Sequence, residues 1–396
     1  MSHKCSRKSD DDAVIVAACR TPVGKFRGAL SQTRPDDLGA IVVRELLKRV
    51  PQLNPFTIDD VIFGCAFPEA QQGMNVARII SLLAELPITV PGMTINRFCS
   101  SGLQAISFAT DRIKAGGADV IIAGGVESMS MVPMTGNKFE PHPMLLNETQ
   151  TYISTIGGAE VLRKLYAISR QEQDEFALWS HQKAIQAQDD GKFMEEIVPV
   201  KLKIPAEAGM KEILFENDEG PRRSTSLEKL AKLEPIEKDK DPDSTVTAGN
   251  ASQMSDGAAV VMLMSRVRAK RHGIKPLARL VDYAVTALEP KLFGIGPVAA
   301  IPKVLRRASL DLKNMDLIEL NEAFAVQMLA VMRELPLSHL NVNGGAIALG
   351  HPLGCSGARI AATLIYEMRR RGVEFGLEAM CVGGGMGAAG IFQLED

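Results

Sequence analysis

Two stretches of this chain carry the same elements in the same order about 255 residues apart, and that repeat constrains the fold more than any other feature. Asp60-Val-Ile-Phe-Gly has its counterpart in Asp316-Leu-Ile-Glu-Leu, 256 residues later. Ser101-Gly102 has its counterpart in Ser356-Gly357, 255 residues later. At the second offset a helix expected over 100–115 falls on 355–370, and a strand expected over 120–125 falls on 375–380, with Val126 opposite Cys381. Any two βαβ units share a general likeness. Here element order and spacing agree within one residue over about 65 positions, which points to a duplicated α/β unit.

The local patterns supply the pieces of that unit. Residues 14–19 form a short apolar run, the signature of a buried strand. Pro35-Asp36-Asp37 opens a helix whose Leu38, Ile41, Val42, Leu46 and Leu47 recur at helical spacing. Residues 61–64 and 317–320 read as further strands. Over 100–115, Leu103, Ile106, Phe108, Ala109 and Ile113 mark a helix that Gly116-Gly117 stops. Residues 120–123 read as a strand ended by Gly124-Gly125. Apolar strands alternating with helices predict a sheet covered on both faces.

The 396 residues exceed one ordinary core. Between the repeats, 129–244 turn rich in Met, Pro, Gln and charge, with a polar helix near 171–188. This is too long for a plain loop and reads as an inserted subdomain that can carry substrate-binding loops. Residues 245–264 return to the first core. The expected domains are therefore 1–128 with 245–275, an inserted domain 129–244, and 276–396.

Forty-five basic side chains against 47 acidic ones give a net charge of -2, which argues against nucleic acid or an anionic membrane as the main partner. The six cysteines, Cys5, Cys19, Cys65, Cys99, Cys355 and Cys381, form no C-x-x-C pair, so a zinc or redox motif is not expected and no metal is predicted. The polar N-terminus with Asp10, Asp11 and Asp12 is neither a secretory signal nor a mitochondrial presequence. The C-terminal Gln-Leu-Glu-Asp is no peroxisomal tripeptide. No run of about 18 apolar residues occurs, so no membrane span is expected. The expectation is a cytoplasmic protein with reduced thiols.

Chemistry concentrates at four places. Cys99, in Asn96-Arg-Phe-Cys-Ser-Ser-Gly, stands where a strand gives way to a helix. A helix N-terminus offers free N–H groups and partial positive charge, which favour a thiolate and can hold an oxyanion. His351 lies in Asn343-Gly-Gly-Ala-Ile-Ala-Leu-Gly-His-Pro, where glycines on both sides leave an imidazole at the tip of a tight turn, suited to activate a thiol. Cys381 precedes Val-Gly-Gly-Gly-Met-Gly at a strand end. A nucleotide loop is the competing reading there, but no G-x-G-x-x-G fingerprint with its acidic partner follows, and a thiol tuned near neutrality can move a proton. Asn321, after the strand at 317–320, either orients a water or oxyanion or caps a helix over 322–332; local sequence does not choose. Cys355, which matches Ser100 in the repeat, reads as structural.

These motifs resemble the thiolase family in content and order. The likeness rests on the block around Cys99, on Gly124-Gly-Val-Glu-Ser-Met-Ser, Asn321-Glu-Ala-Phe, Gly344-Gly-Ala-Ile-Ala-Leu-Gly-His-Pro and Cys381-Val-Gly-Gly-Gly-Met-Gly, and on Arg20-Thr-Pro-Val-Gly-Lys-Phe near the N-terminus. It covers nearly the whole chain. It implies an α/β thiolase fold, with two duplicated core domains in five layers plus an inserted loop domain. It implies Cys99 as nucleophile, His351 as its base, and Cys381 as the acid or base for the departing acetyl-CoA. It further implies one oxyanion hole from His351 and a water held by Asn321, and another from the N–H groups of Cys99 and Gly383. By the same likeness Ala248, Gly249 and Ser252 with Ala323 and Phe324 would line a pantetheine tunnel, and Arg222 would lie near the adenine or phosphate of CoA. No permanently bound cofactor is implied; coenzyme A and acyl-CoA are substrates. A homodimer or homotetramer and a β-oxidation partner enzyme are the implied associations.

One stretch departs from the family pattern. Where many members carry Met-Gly-x-Thr-Ala-Glu, this chain has Ser154-Thr-Ile-Gly-Gly-Ala-Glu160, and Ser154 stands where acetoacetyl-specific members often have histidine. That favours a degradative 3-ketoacyl-CoA thiolase acting on longer chains over a biosynthetic acetoacetyl-CoA thiolase. A ketoacyl synthase would place histidine at position 381, and an idle acyl-CoA-binding protein would have lost one of Cys99, His351 and Cys381.

Overall fold

β1 (Ala13–Arg20) is buried at every position, an apolar run at the centre of a sheet that ends on the buried Arg20. Beside a two-residue strand at Gly24–Lys25, the other strands of the first half are β2 (Asp60–Gly64), β3 (Gly92–Ile95), β4 (Val120–Ser128) and β5 (Ser255–Ser265). They run in the order β3-β2-β4-β5-β1, with β2 parallel to β3 and β4 and with β5 antiparallel to β4 and β1. The second half repeats this with β6 (Ala278–Ala287), β7 (Leu317–Leu320), β8 (Phe375–Val382) and β9 (Met386–Leu394), ordered β7-β8-β9-β6. Leu340, bridged in parallel to Ile318, stands where β3 stands in the first half. A single register pair, Ile15 with Ala278, joins the two sheets. This computed structural model describes residues 8–148, 150–206 and 209–395; Cys5 and Asp396 lie outside the described residues.

Helices complete five layers. α1 (Pro35–Arg49) and α2 (Val76–Leu83) pack on the outer face of the first sheet. α1 starts on proline, with Asp36 and Asp37 in its first turn and Lys48 and Arg49 in its last, charges that suit the helix dipole. α3 (Ser101–Lys114) lies between the sheets, and its partner there is the C-terminal helix Leu353–Arg371, called α8 below. α6 (Gly296–Ala308) and α7 (Ala325–Glu334) cover the outer face of the second sheet. Between β4 and β5 the chain forms α4 (Thr155–Tyr166), α5 (Arg170–Asp189) and a hairpin of Val200–Ala206 with Gly209–Phe215. The polar helix expected near 171–188 is α5, started by a capping box of Ser169 and Glu172.

One local expectation gives way, and one of two open alternatives is removed. Gly124 and Gly125 do not end their strand; β4 runs on to Ser128. A Cβ at Gly124 would lie 2.3 Å from the Ala259 carbonyl, and one at Gly125 would lie 1.9 Å from that of Gly354. These glycines let a neighbouring strand and the start of α8 come close, a role that sequence alone does not separate from a stop. Asn321 is no helix cap, because α7 begins at Ala325 with Phe324 as its N-cap residue.

Candidate active site

The N-termini of α3 and α8 open on the same cavity, about 580 Å³ in volume. Its walls include Cys99, His351, Cys381 and Gly383 on one side, and Ala248, Ser252, Ala323, Phe324 and Arg222 toward the inserted segment. Two of the residues expected at the site stand outside the lining. Gly249 packs against Leu230 and Leu233. Asn321, 2% exposed, sits behind His351.

Cys99 lies in a one-turn 3-10 helix, Phe98–Ser100, directly before α3. Phe98 takes a left-handed φ of 44°, rare for an aromatic residue, and the Asn96 side chain steadies the bend by accepting the Phe98 N–H at 2.8 Å. The backbone N–H groups of Gly383 and of Cys99 itself lower the pKa of the Cys99 thiol. They favour negative charge there, but burial outweighs them and, with the Glu127 carboxylate adding to it, pushes the thiol up to about 11. The expected thiolate is thus replaced by a neutral thiol in the resting site. Helix position alone does not overcome desolvation here.

His351 is its complement. Burial, with Arg359 nearby, pushes its imidazole down to about 3, so the ring is neutral. Its tautomer follows from its neighbours. The Ser356 hydroxyl donates its one proton to the Pro352 carbonyl at 3.0 Å, so at 2.6 Å it must accept from His351 Nδ1–H. Nε2 is left with its lone pair, 3.3 Å from the Asn321 side-chain amide nitrogen. A neutral imidazole with Nε2 unprotonated, its lone pair accepting from the Asn321 amide, is the form that takes a proton. Gly350 permits the preceding turn: its φ is 101°, and a Cβ there would meet Ser255 Oγ at 2.3 Å.

Cys381 is the last residue but one of β8, opposite Gly387 of β9. Burial, with the Cys99 sulfur adding to it, pushes its thiol well above the usual value. The expectation of a thiol near neutrality is corrected to one that holds its proton, which suits an acid more than a resting base. Gly384 and Gly385, both at φ 78°, turn the chain sharply after Gly383.

The 248–252 segment reaches the site by a short backbone ladder: Ser252 N–H donates to the Ala323 carbonyl at 2.9 Å and Ala325 N–H to that of Asn250 at 2.8 Å. Arg222 is held by its backbone N–H, which donates to His181 Nδ1 at 3.2 Å. His181 is kept neutral, its pKa lowered to about 4 by burial and by Arg222. Ser154 caps α4 by accepting the Gly157 N–H at 2.9 Å, and the next two residues, Thr155 and Ile156, line the cavity. Sequence reasoning missed Ser356, although the repeat had already paired it with Ser101. It also missed the apolar wall of Phe67, Phe98, Met129, Met134 and Leu353 beside Cys99, whose members come from four separate segments. Among the described residues, no group of three or more His, Cys, Asp or Glu side chains could hold a metal ion.

Comparison with known proteins gives a consistent result. The thiolase N-terminal domain family matches residues 13–267 and the thiolase C-terminal domain family matches 274–394. A 3-ketoacyl-CoA thiolase of Bacillus subtilis (strain 168) is 51% identical over 393 residues, covering 97% of this chain and 99% of the relative. An acetyl-CoA acetyltransferase of Syntrophomonas wolfei is 45% identical over 402 residues, covering 96% of this chain and 99% of the relative. The crystal structure of the Bacillus anthracis acetyl-CoA acetyltransferase superposes with a TM-score of 0.87 at 43% identity, over 97% of this chain and 98% of the other.

Proposed function

The chain belongs to the thiolase family of acyltransferases, and from that premise we propose that it cleaves 3-oxoacyl-CoA with CoA, giving acetyl-CoA and a shortened acyl-CoA, in the degradative direction of fatty acid β-oxidation. The observation that carries the reading is the meeting of a thiol, a neutral imidazole, a second thiol and Gly383 on one apolar cavity.

The steps follow from the protonation states. The Cys99 sulfur attacks the 3-oxo carbonyl while its proton passes to His351 Nε2. The resulting imidazolium, with a water held by Asn321, stabilises one developing oxyanion, and the N–H groups of Cys99 and Gly383 stabilise the other. The bond between C2 and C3 breaks, Cys381 gives its proton to the departing acetyl-CoA carbanion, and an acyl thioester remains on Cys99. CoA then attacks that thioester as its thiol proton returns to Cys381, and Cys99 leaves and recovers its proton from His351. Ala248, Ser252, Ala323 and Phe324 border the pantetheine arm, Arg222 faces the nucleotide end, and Gly249 supports the segment from behind. Homodimers would pair β3, which ends its sheet and has exposed Met93 on it and Ile88 beside it.

Two features support longer acyl chains: the apolar wall beside Cys99, and Ser154 where acetoacetyl-specific members often have histidine. The names of the relatives span both substrate classes. With CoA in excess, kcat/KM for 3-oxohexadecanoyl-CoA is expected to exceed that for acetoacetyl-CoA by about tenfold, since several buried methylenes at roughly 0.8 kcal/mol each leave a surplus even after ordering costs. A ratio inverted in favour of acetoacetyl-CoA would assign the chain to the short-chain, biosynthetic branch.

A further inference from the structure

The Gly124-Gly-Val-Glu-Ser-Met-Ser block contributes no residue to the chemical steps above, yet it buries a carboxylate next to them. Glu127, on β4, is 1% exposed. Its Oε2 accepts the backbone N–H groups of Ala66 and Gly354, both at 2.8 Å. Its Oε1 accepts the Gln72 side-chain amide and, at 3.4 Å, the Phe67 N–H. The Cys65 thiol faces the same oxygen at 3.9 Å. Every group that meets this carboxylate is a donor.

The donors come from both halves of the molecule. Gly354 lies three residues after His351, at the start of α8. Ala66 and Phe67 follow β2, and Phe67 stacks at a tilt on Phe98, ring centroids 6.1 Å apart, immediately before Cys99. Packing holds the same junction: a Cβ on Gly354 would lie 2.7 Å from Cys65 Cα and 2.8 Å from Glu127 Oε2. The junction therefore has no slack, and one side chain fastens the segment bearing the base to the wall behind the nucleophile.

We propose that Glu127 is a positioning residue of the thiolase reaction: its carboxylate, using both oxygens, clamps the His351 turn against the Ala66–Phe67 segment. This rests on the reaction assigned above. An amide at 127 offers one acceptor oxygen where four N–H groups need two, and its own NH₂ would confront donors. It also removes a negative charge that acts on the Cys99 thiol in the same direction as burial.

Two variants separate the clamp from the charge. Glu127→Gln keeps the shape and loses the charge. Glu127→Asp keeps the charge and falls one methylene short. For each, kcat and KM for thiolysis are measured together with the pH dependence of iodoacetamide alkylation of Cys99, followed by peptide mass spectrometry. The expected result is a kcat at least 30-fold lower in both variants with KM within threefold of the wild type, and an alkylation midpoint that moves to lower pH in Glu127→Gln but not in Glu127→Asp. Alkylation also reads the thiol directly, so the charge role can be judged even if the reaction itself were assigned wrongly. Folded variants with kcat within threefold of wild type would overturn the clamp, as would a change confined to KM. An unmoved midpoint in Glu127→Gln would overturn the charge role. Should the Gln variant fail to fold, the Asp variant alone decides the clamp through its kcat.

Discussion

Replacing Cys99 with alanine is expected to lower kcat/KM for thiolysis by about 10⁴-fold or more, the scale on which enzymes lose a covalent nucleophile. The geometry gives the reason. Cys99 lines the cavity beside Gly383, and the two N–H groups that would hold an oxyanion both favour negative charge at its sulfur. The remaining described cysteines cannot substitute: Cys19, Cys65, Cys355 and Cys381 are buried, and of these only Cys381 borders the cavity. Because the thiol sits near 11 and the imidazole near 3, the resting pair is neutral across the physiological range. Proton transfer then accompanies attack instead of preceding it. His351→Ala should accordingly be almost as damaging as loss of the sulfur, since the two act as one unit. Steady-state thiolysis by the purified variants measures both, and a Cys99→Ala rate within tenfold of wild type would remove the nucleophile from this position.

Arg20→Ala is expected to lower the free energy of unfolding by roughly 3–5 kcal/mol, the usual cost of stranding buried charges. Arg20 ends β1 and is fully buried. Its guanidinium grips Asp218 with two bonds of 2.7 and 2.9 Å and donates to Glu196 at 2.7 Å. Alanine would leave two buried carboxylates without their cation and would also release the Phe193 ring, whose centroid lies 5.2 Å from the guanidinium. Asp218 is four residues before Arg222, so the loss should loosen the stretch that carries this cavity-lining arginine. Urea unfolding of the variant beside the wild type reads the cost, and a change under 1 kcal/mol would show that the triad stabilises little.

Much of this was legible in the chain because the repeat fixes topology and topology fixes the site. The offset of 255 residues pairs β4 with β8 and α3 with α8, and it is this pairing that brings Cys99, His351 and Cys381 to one cavity. The failures have physical causes. Gly124 and Gly125 look like a strand terminator, but their backbones are pressed against Ala259 and Gly354, partners more than 130 residues away. Helix spacing cannot reveal that Asn321 belongs to His351 and not to α7, because its partner lies 30 residues further on. The Cys99 thiol was expected low because the sequence displays the helix start but not the apolar wall from Phe67, Met129 and Leu353 that desolvates it. Helix α4 and the 200–215 hairpin carry too little periodicity to stand out in a polar stretch, and they form against the rest of the fold. Gly249, placed at the cavity by likeness, turns out to support it from behind.

The central claim is that the acyl chain passes through a thioester on Cys99. Mixing the protein with 3-oxohexadecanoyl-CoA in the absence of free CoA should release acetyl-CoA and leave one tetradecanoyl group, which intact-mass and peptide mass spectrometry would locate on the peptide containing Cys99; adding CoA should remove it. An unmodified Cys99 peptide under conditions where acetyl-CoA is released, or an acyl group found on Cys381 instead, would contradict the account.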